Sequence, residues 1–152
     1  MRRRIVINTD GKEIEIPVKA TLKAMQIYRT EFGSDLSKDL NTVYQALNPD
    51  PFLDAMERAK IAPGGMSPEE MQQRILDNLD YSLIQADEPI PDEETQMKTL
   101  QIVWAMASAA DKGLPPFEKW SEDLDMQPIR TLVSCLLEIW REANKTTVEL
   151  KN

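Results

Sequence analysis

The chain has 152 residues, with 18 Lys and Arg against 26 Asp and Glu and a formal charge of −8; that length is the size of one ordinary domain. Hydrophobic residues make up 41% and charged residues 29%, a globular profile whose acidic balance argues against a nucleic-acid binder, since such binding comes mainly from Lys and Arg on phosphates. Histidine is absent, which excludes Ser-His-Asp and Cys-His catalysis and His-built zinc or haem sites.

The first unit is a β-hairpin. Ile5-Val6-Ile7-Asn8-Thr9 and Lys12-Glu13-Ile14-Glu15-Ile16 flank Asp10-Gly11, a type I′ turn signal because both central positions need φ > 0. A two-residue turn pairs Ile7 with Ile14 and Ile5 with Ile16, and alternation puts all four isoleucines on one face. An isolated hairpin is marginal in water, so that face must cover helices.

After Pro17 the period becomes helical. Leu22, Met25, Tyr28 and Phe32 form one stripe, with Gly33 placed as its C′ residue. Leu36, Leu40, Val43 and Leu47 form a second, stopping before Pro49. Asp50-Pro51 reads as N-cap and N1 of a short helix through Phe52, Leu53 and Met56, ended by Pro63-Gly64-Gly65. Ser67-Pro68-Glu69-Glu70 is a capping box with Pro at N1, opening a helix that carries Met71, Ile75, Leu76, Leu79 and Leu83 and breaks at Asp87 to Pro91. A long helix follows from about Asp92, bearing Met97, Leu100, Val103, Trp104, Met106 and Ala107 and ending at Gly113. After the turn Leu114-Pro115-Pro116, Phe117 to Trp120 open a short helix reaching Leu124. Pro128 opens the last one, presenting Ile129, Leu132, Val133, Leu136, Leu137 and Trp140 and ending near Asn144. The expected fold is mainly α (α+β): an N-terminal hairpin, about 4–17, packed on a compact bundle of about six helices. It forms one domain over 1–144, followed by a polar flexible tail at 145–152.

Chemistry-bearing motifs are few. Between Ile61 and Met97 lie nine carboxylates and one base, Arg74. They lack the alternating spacing of a calcium loop, and Glu69, Glu70, Asp92, Glu93 and Glu94 fall in first turns, where they complement helix dipoles. The pair Asp77 and Asp80 has the residue types for glycosidase-type acid/base work but no accompanying cleft signature. Cys135 lies in an apolar helical run, reads as a packed residue and has no internal disulfide partner, as suits a reducing compartment. No phosphate-cradling glycine loop or nucleophile elbow appears. No apolar stretch approaches the roughly 18 residues of a membrane span, and Met1-Arg2-Arg3-Arg4 leads into a strand rather than the apolar core of a signal peptide. The expectation is an intracellular non-enzyme with no cofactor or metal and no nucleic-acid or membrane partner.

The aromatic residues are the better candidates. Phe117 and Trp120 sit three apart after a Pro-Pro turn, where they either lid the core or anchor a partner. Trp104 and Met106 lie on the long helix, with core packing as the plain alternative. Phe117, Trp120, Trp104 and Met106 are therefore the candidate partner-binding residues. Eight methionines supply adaptable apolar surface.

Several segments together resemble one phage family. Ile5-Val6-Ile7 through Gly11-Lys12-Glu13-Ile14-Glu15-Ile16, then Leu22-Lys23-Ala24 and Glu31-Phe32-Gly33, resemble the start of tail assembly chaperones of long-tailed phages and prophages, chiefly of Gram-positive hosts. Leu100 to Ala107, Ala110-Asp111-Lys112 and Pro115-Pro116-Phe117-Glu118-Lys119-Trp120 follow in the same order. The likeness covers about 4–125 and is most specific from Trp104 to Trp120; the middle, from about Asn48 to Pro91, matches in length and helicity only. The resemblance implies a non-catalytic protein that binds the tape measure protein and helps tail tube protein polymerise around it. It further implies residence in the bacterial host cytoplasm and absence from the mature virion. A frameshift-extended form of the chain, beginning after Asn144, is a further partner it implies. The alternatives are a structural head-tail or tail-tip component, which would stay in virions, and an acidic helical regulatory binding protein.

Overall fold

The computed structural model describes residues 2–48, 55–56, 58–59, 67–80 and 90–149. These form a hairpin, β1 (Arg2–Thr9) and β2 (Lys12–Lys19), and six helices among the described residues: α1 (Leu22–Phe32), α2 (Leu36–Leu47), α3 (Pro68–Asp77), α4 (Glu93–Ala110), α5 (Phe117–Ser121) and α6 (Ile129–Glu149). The fold is the expected one, mainly α with an N-terminal antiparallel hairpin on helices. The chain divides into two compact units, one of 1–44 with 91–152 and one of 45–90.

In the first unit the hairpin has the expected register, Ile5 opposite Ile16 and Ile7 opposite Ile14. Asp10 and Gly11 hold φ of 49° and 72°, the left-handed pair a type I′ turn needs. Both strands run further than expected, and Pro17 lies inside β2 opposite Arg4. Counting from the hydrogen-bonded pair Thr9–Lys12 that closes the turn, Arg4 and Pro17 fall at a non-hydrogen-bonded pair. The missing N–H therefore faces the outer edge, where it costs no ladder bond and discourages strand addition. Ile5, Ile7 and Val18 are buried, but Ile14, which shares the isoleucine face and lies opposite the buried Ile7, is 39% exposed.

Helix α4 is the centre of this unit, touching α1, β2, α5 and α6. Ile102 to Ala107 are six consecutive buried residues, which only a helix covered on several sides can contain. Met97, expected on the buried stripe, is 42% exposed in the outer part of the helix. On α1 the fully buried residues are Ala24 and Tyr28; of the expected stripe Tyr28 is buried and Met25 and Phe32 are half-buried, while Leu22 is 76% exposed. The small Ala24 lets the α1 and α4 backbones approach, so the helix turns its Ala24 and Tyr28 face inward. The predicted stripe of α2 is fully buried, with Leu36, Leu40, Val43 and Leu47 at 1–4%.

Helix ends follow local chemistry. Thr21 caps α1 by accepting from the Ala24 N–H, and Gly33, at φ 68°, closes it with its N–H on the Arg29 carbonyl. Asp92 caps α4 by accepting from the Thr95 N–H at 2.8 Å; hydrogen bonds from Thr95 hold its carboxyl below the usual carboxylate range. Helix α5 stops at Ser121, short of the expected Leu124, because Leu124 bridges to Thr9 of β1. The backbone of α6 continues to Glu149 rather than ending near Asn144, since 144–149 contains no Gly or Pro to stop it. Arg3 of β1 is paired with Glu142 of α6.

In the second unit, α3 begins as predicted: Ser67 Oγ accepts from the Glu70 N–H at 3.2 Å, with Pro68 in the first turn. It ends at Asp77 with Asn78 as C-cap, so Leu79 lies beyond it. Backbone at 55–56 and 58–59 is helical, and Ala55 is buried. The expected start at Asp50-Pro51 with Phe52 and Leu53, the Pro63-Gly64-Gly65 stop, Leu83 and the break from Asp87 to Pro89 lie outside the described residues, as do 150–152.

Candidate functional site

The aromatic residues singled out in the sequence meet in the first unit. Phe32 is delivered by the last turn of α1, whose left-handed Gly33 cap ends the helix beside α4. Trp104 comes from the middle of α4 and donates its indole N–H to the Pro115 carbonyl at 2.9 Å. That bond anchors the Pro-Pro turn, and the turn sets the start of α5, where the Trp120 N–H reaches the Pro116 carbonyl at 2.9 Å. Phe117 then stands edge-on to Phe32 (5.5 Å, 89°) and to Trp104 (6.2 Å, 78°), while Phe32 and Trp104 meet at 5.8 Å and 77°. Tyr28 extends the group at 5.1 Å from Phe32, and Trp120 lies on Phe117 at 6.1 Å. Such edge-to-face pairs put the positive ring edge on the negative ring face.

The four candidate residues thus have different surroundings. Met106 has no exposed surface and Trp104 is 6% exposed, because both lie on the central helix α4; neither offers a face to a partner. Phe117 and Trp120 are half-buried. Phe117 lids Phe32 and Trp104, so the core-lid alternative describes its inner face, while Trp120 touches this ring cluster only through Phe117. Around them Glu118 and Lys119 are exposed, leaving an aromatic edge within a polar rim.

Three polar contacts in this unit add to the expected features. Tyr28 donates its hydroxyl to Asp39 Oδ2 at 2.7 Å, both groups being buried. Burial, then the Asp39 hydrogen bond and charge, push the Tyr28 hydroxyl pKa up. Lys98, bonded to Glu94 at 3.1 Å, is held protonated beyond its ordinary range by that bond. Gln127 imitates a third strand: Nε2 donates to the Asn8 carbonyl at 2.6 Å and to the Asp125 carbonyl at 2.8 Å, and Oε1 accepts from the Asn8 N–H at 2.9 Å. Asn8 is at a non-hydrogen-bonded pair, so its N–H and C=O point out of the hairpin edge, where Gln127 receives them.

Elsewhere, Asp77 accepts from Gln73 Nε2 at 2.9 Å and Asp80 from Arg58 at 3.3 Å, so each carboxylate has a local partner. Cys135 is half-buried on α6. An open hollow of about 400 Å³ lies along Pro68, Met71, Gln72, Ile75 and Leu76 of α3. Among the described residues no helix is long and apolar enough to cross a membrane, and no three His, Cys, Asp or Glu side chains converge as metal ligands. Compared with protein families, curated proteins and solved structures, the chain matches none.

Proposed function

We propose that this chain is a tail assembly chaperone of a long-tailed phage or prophage, acting in the bacterial host cytoplasm without catalysis. In this reading it binds the tape measure protein, keeps it soluble while tail tube protein polymerises around it, and does not enter the mature virion. One observation carries the reading. Two of the segments that resemble the family, Glu31-Phe32-Gly33 and the stretch from Trp104 to Trp120, meet in one aromatic cluster. A resemblance spread over distant segments is thereby concentrated in one piece of structure.

The chemistry suits the role. A tape measure protein exposes long apolar helical stripes until the tube covers them, and such stripes are captured by apolar grooves with aromatic anchors. The half-buried edge of Phe117 and Trp120, backed by a rigid ring cluster, supplies anchors already ordered before binding, which lowers the entropic cost of association. The test is co-expression with the long helical tape measure protein encoded beside this gene, followed by pull-down and a solubility assay. The tape measure protein should become soluble and co-purify, either with this chain or with its frameshift-extended form. If neither form binds, or if the chain is retained in purified virions, the reading fails and a structural tail component takes its place.

A further inference from the structure

The chain contains one Asp-Gly pair, Asp10-Gly11, and no Asn-Gly. It forms the turn of the hairpin, and both residues are exposed. Asp-Gly is the dipeptide whose geometry least obstructs isoaspartate formation, because glycine has no Cβ to hinder the ring closure. The Gly11 nitrogen attacks the Asp10 carboxyl carbon and a C–N bond forms. The hydroxyl of the protonated carboxyl departs together with the amide proton as water, and one water then opens the cyclic imide. Opening at one carbonyl restores aspartate; opening at the other leaves an isoaspartate with an extra carbon in the main chain. A Cβ placed on Gly11 would meet nothing within 4 Å, so the space around this peptide is open.

One contact opposes the reaction. The Gly11 N–H donates to Asp125 Oδ2 at 2.7 Å. Attack requires that proton to leave and the peptide plane to turn its nitrogen toward Asp10, and the bond to a carboxylate resists both. Asp125 is itself fixed. Its N–H donates to the Asn8 carbonyl at 3.1 Å, its carbonyl accepts from Gln127, and the Thr9 hydroxyl donates to the Asp123 carbonyl at 2.7 Å. Segment 123–127 therefore holds Asn8, Thr9 and Gly11 at the turn end of the hairpin.

We propose that Asp10–Gly11 is an isoaspartate-forming site and that segment 123–127, through Asp125, is the clamp that keeps it closed. The consequence is structural, since a two-residue turn sets the β1–β2 register. An added main-chain carbon there breaks the register that places Ile5 and Ile7 in the core, so chemical ageing of the protein starts at this turn whenever the clamp opens.

The test is to age the full-length protein and its Asp125→Ala variant side by side at neutral pH and body temperature. Isoaspartate is measured by enzymatic methyl transfer to the isoaspartyl carboxylate and by chromatographic mapping of the peptide holding residues 10 and 11. Asp125→Ala should accumulate isoaspartate at Asp10 several-fold faster than the parent, Asp125→Asn, which keeps an acceptor oxygen, should stay near the parent rate, and Asp10→Ser should form none there. Gly33→Ala, destabilised far from the turn, serves as the control for general loosening. Equal rates in parent and Asp125→Ala would overturn the proposal. So would a slower Asp125→Ala, which would make Asp125 a base that draws the proton away, and so would a Gly33→Ala protein that ages as fast as Asp125→Ala.

Discussion

Replacing Gln127 with Ala tests the tertiary contact in which one side chain bonds both backbone groups of Asn8. The side-chain amide makes three hydrogen bonds, two of them to the backbone of Asn8, and the residue is 9% exposed. At about 0.5–1.5 kcal/mol net for each neutral bond, its loss amounts to about 1.5–4.5 kcal/mol. Water entering the vacated site partly satisfies Asn8 and places the expected cost in the middle of that range, about 2–3 kcal/mol. At about 2–4 °C per kcal/mol for a chain of this size, the thermal midpoint falls by about 5–10 °C. Trp104, Trp120 and Trp140 all lie in the unit that contains the clamp, so tryptophan fluorescence during urea unfolding reports on the right part of the chain. The midpoint should drop with the slope unchanged. Gln127→Glu keeps the volume and an acceptor but points a carboxylate at two carbonyls. It should be destabilised at neutral pH and recover as the pH falls and the acid regains a proton to donate. A loss below about 0.5 kcal/mol for Gln127→Ala would refute the reasoning, because the value would then match an ordinary surface substitution.

The Tyr28 hydroxyl is held protonated by burial and by Asp39. Its folded pKa is raised above the unfolded value of about 10, so the stability it contributes is complete below that pH and is lost as the pH rises beyond it. Alkaline unfolding curves should therefore steepen above about pH 10, and Tyr28→Phe should remove that part of the slope while costing about 1–3 kcal/mol at neutral pH through the under-satisfied Asp39. Phe117→Ala should cost about 2–3 kcal/mol in urea unfolding, since it forfeits two edge-to-face pairs and opens the core over Phe32 and Trp104. Trp120→Ala should cost less than half as much and, if Trp120 anchors the tape measure protein, should weaken pull-down more than it weakens the fold. Gly33→Ala places a Cβ at φ 68° and should lower stability by about 1–2 kcal/mol, measured by the same unfolding curve.

Much of this protein is written locally. Asp10-Gly11 between alternating isoleucines determines the hairpin and its register, because a two-residue turn with φ > 0 and the parity of a strand leave one pairing that puts the apolar side chains together. Gly33, Ser67-Pro68 and the four-residue stripe of α2 likewise marked their helices in advance, since a cap or a 3.6-residue period acts within a few residues of itself. The candidate site was half legible: a Pro-Pro turn followed by Phe117 and Trp120 is a local pattern, and its inclusion among the candidates needed no structure. The convergence of Phe32, Trp104 and Phe117, the inward turn of Ala24 instead of Leu22, and the burial of Met106 were decided by tertiary structure. So were the Tyr28–Asp39 bond and the Gln127 clamp, where polar side chains look like ordinary surface residues in the sequence. Tyr28 and Asp39 lie 11 residues apart, and Gln127 and Asn8 lie 119 apart. Burial converts these residues from solvated groups into required ones, because a polar group taken from water must find its partner in the fold.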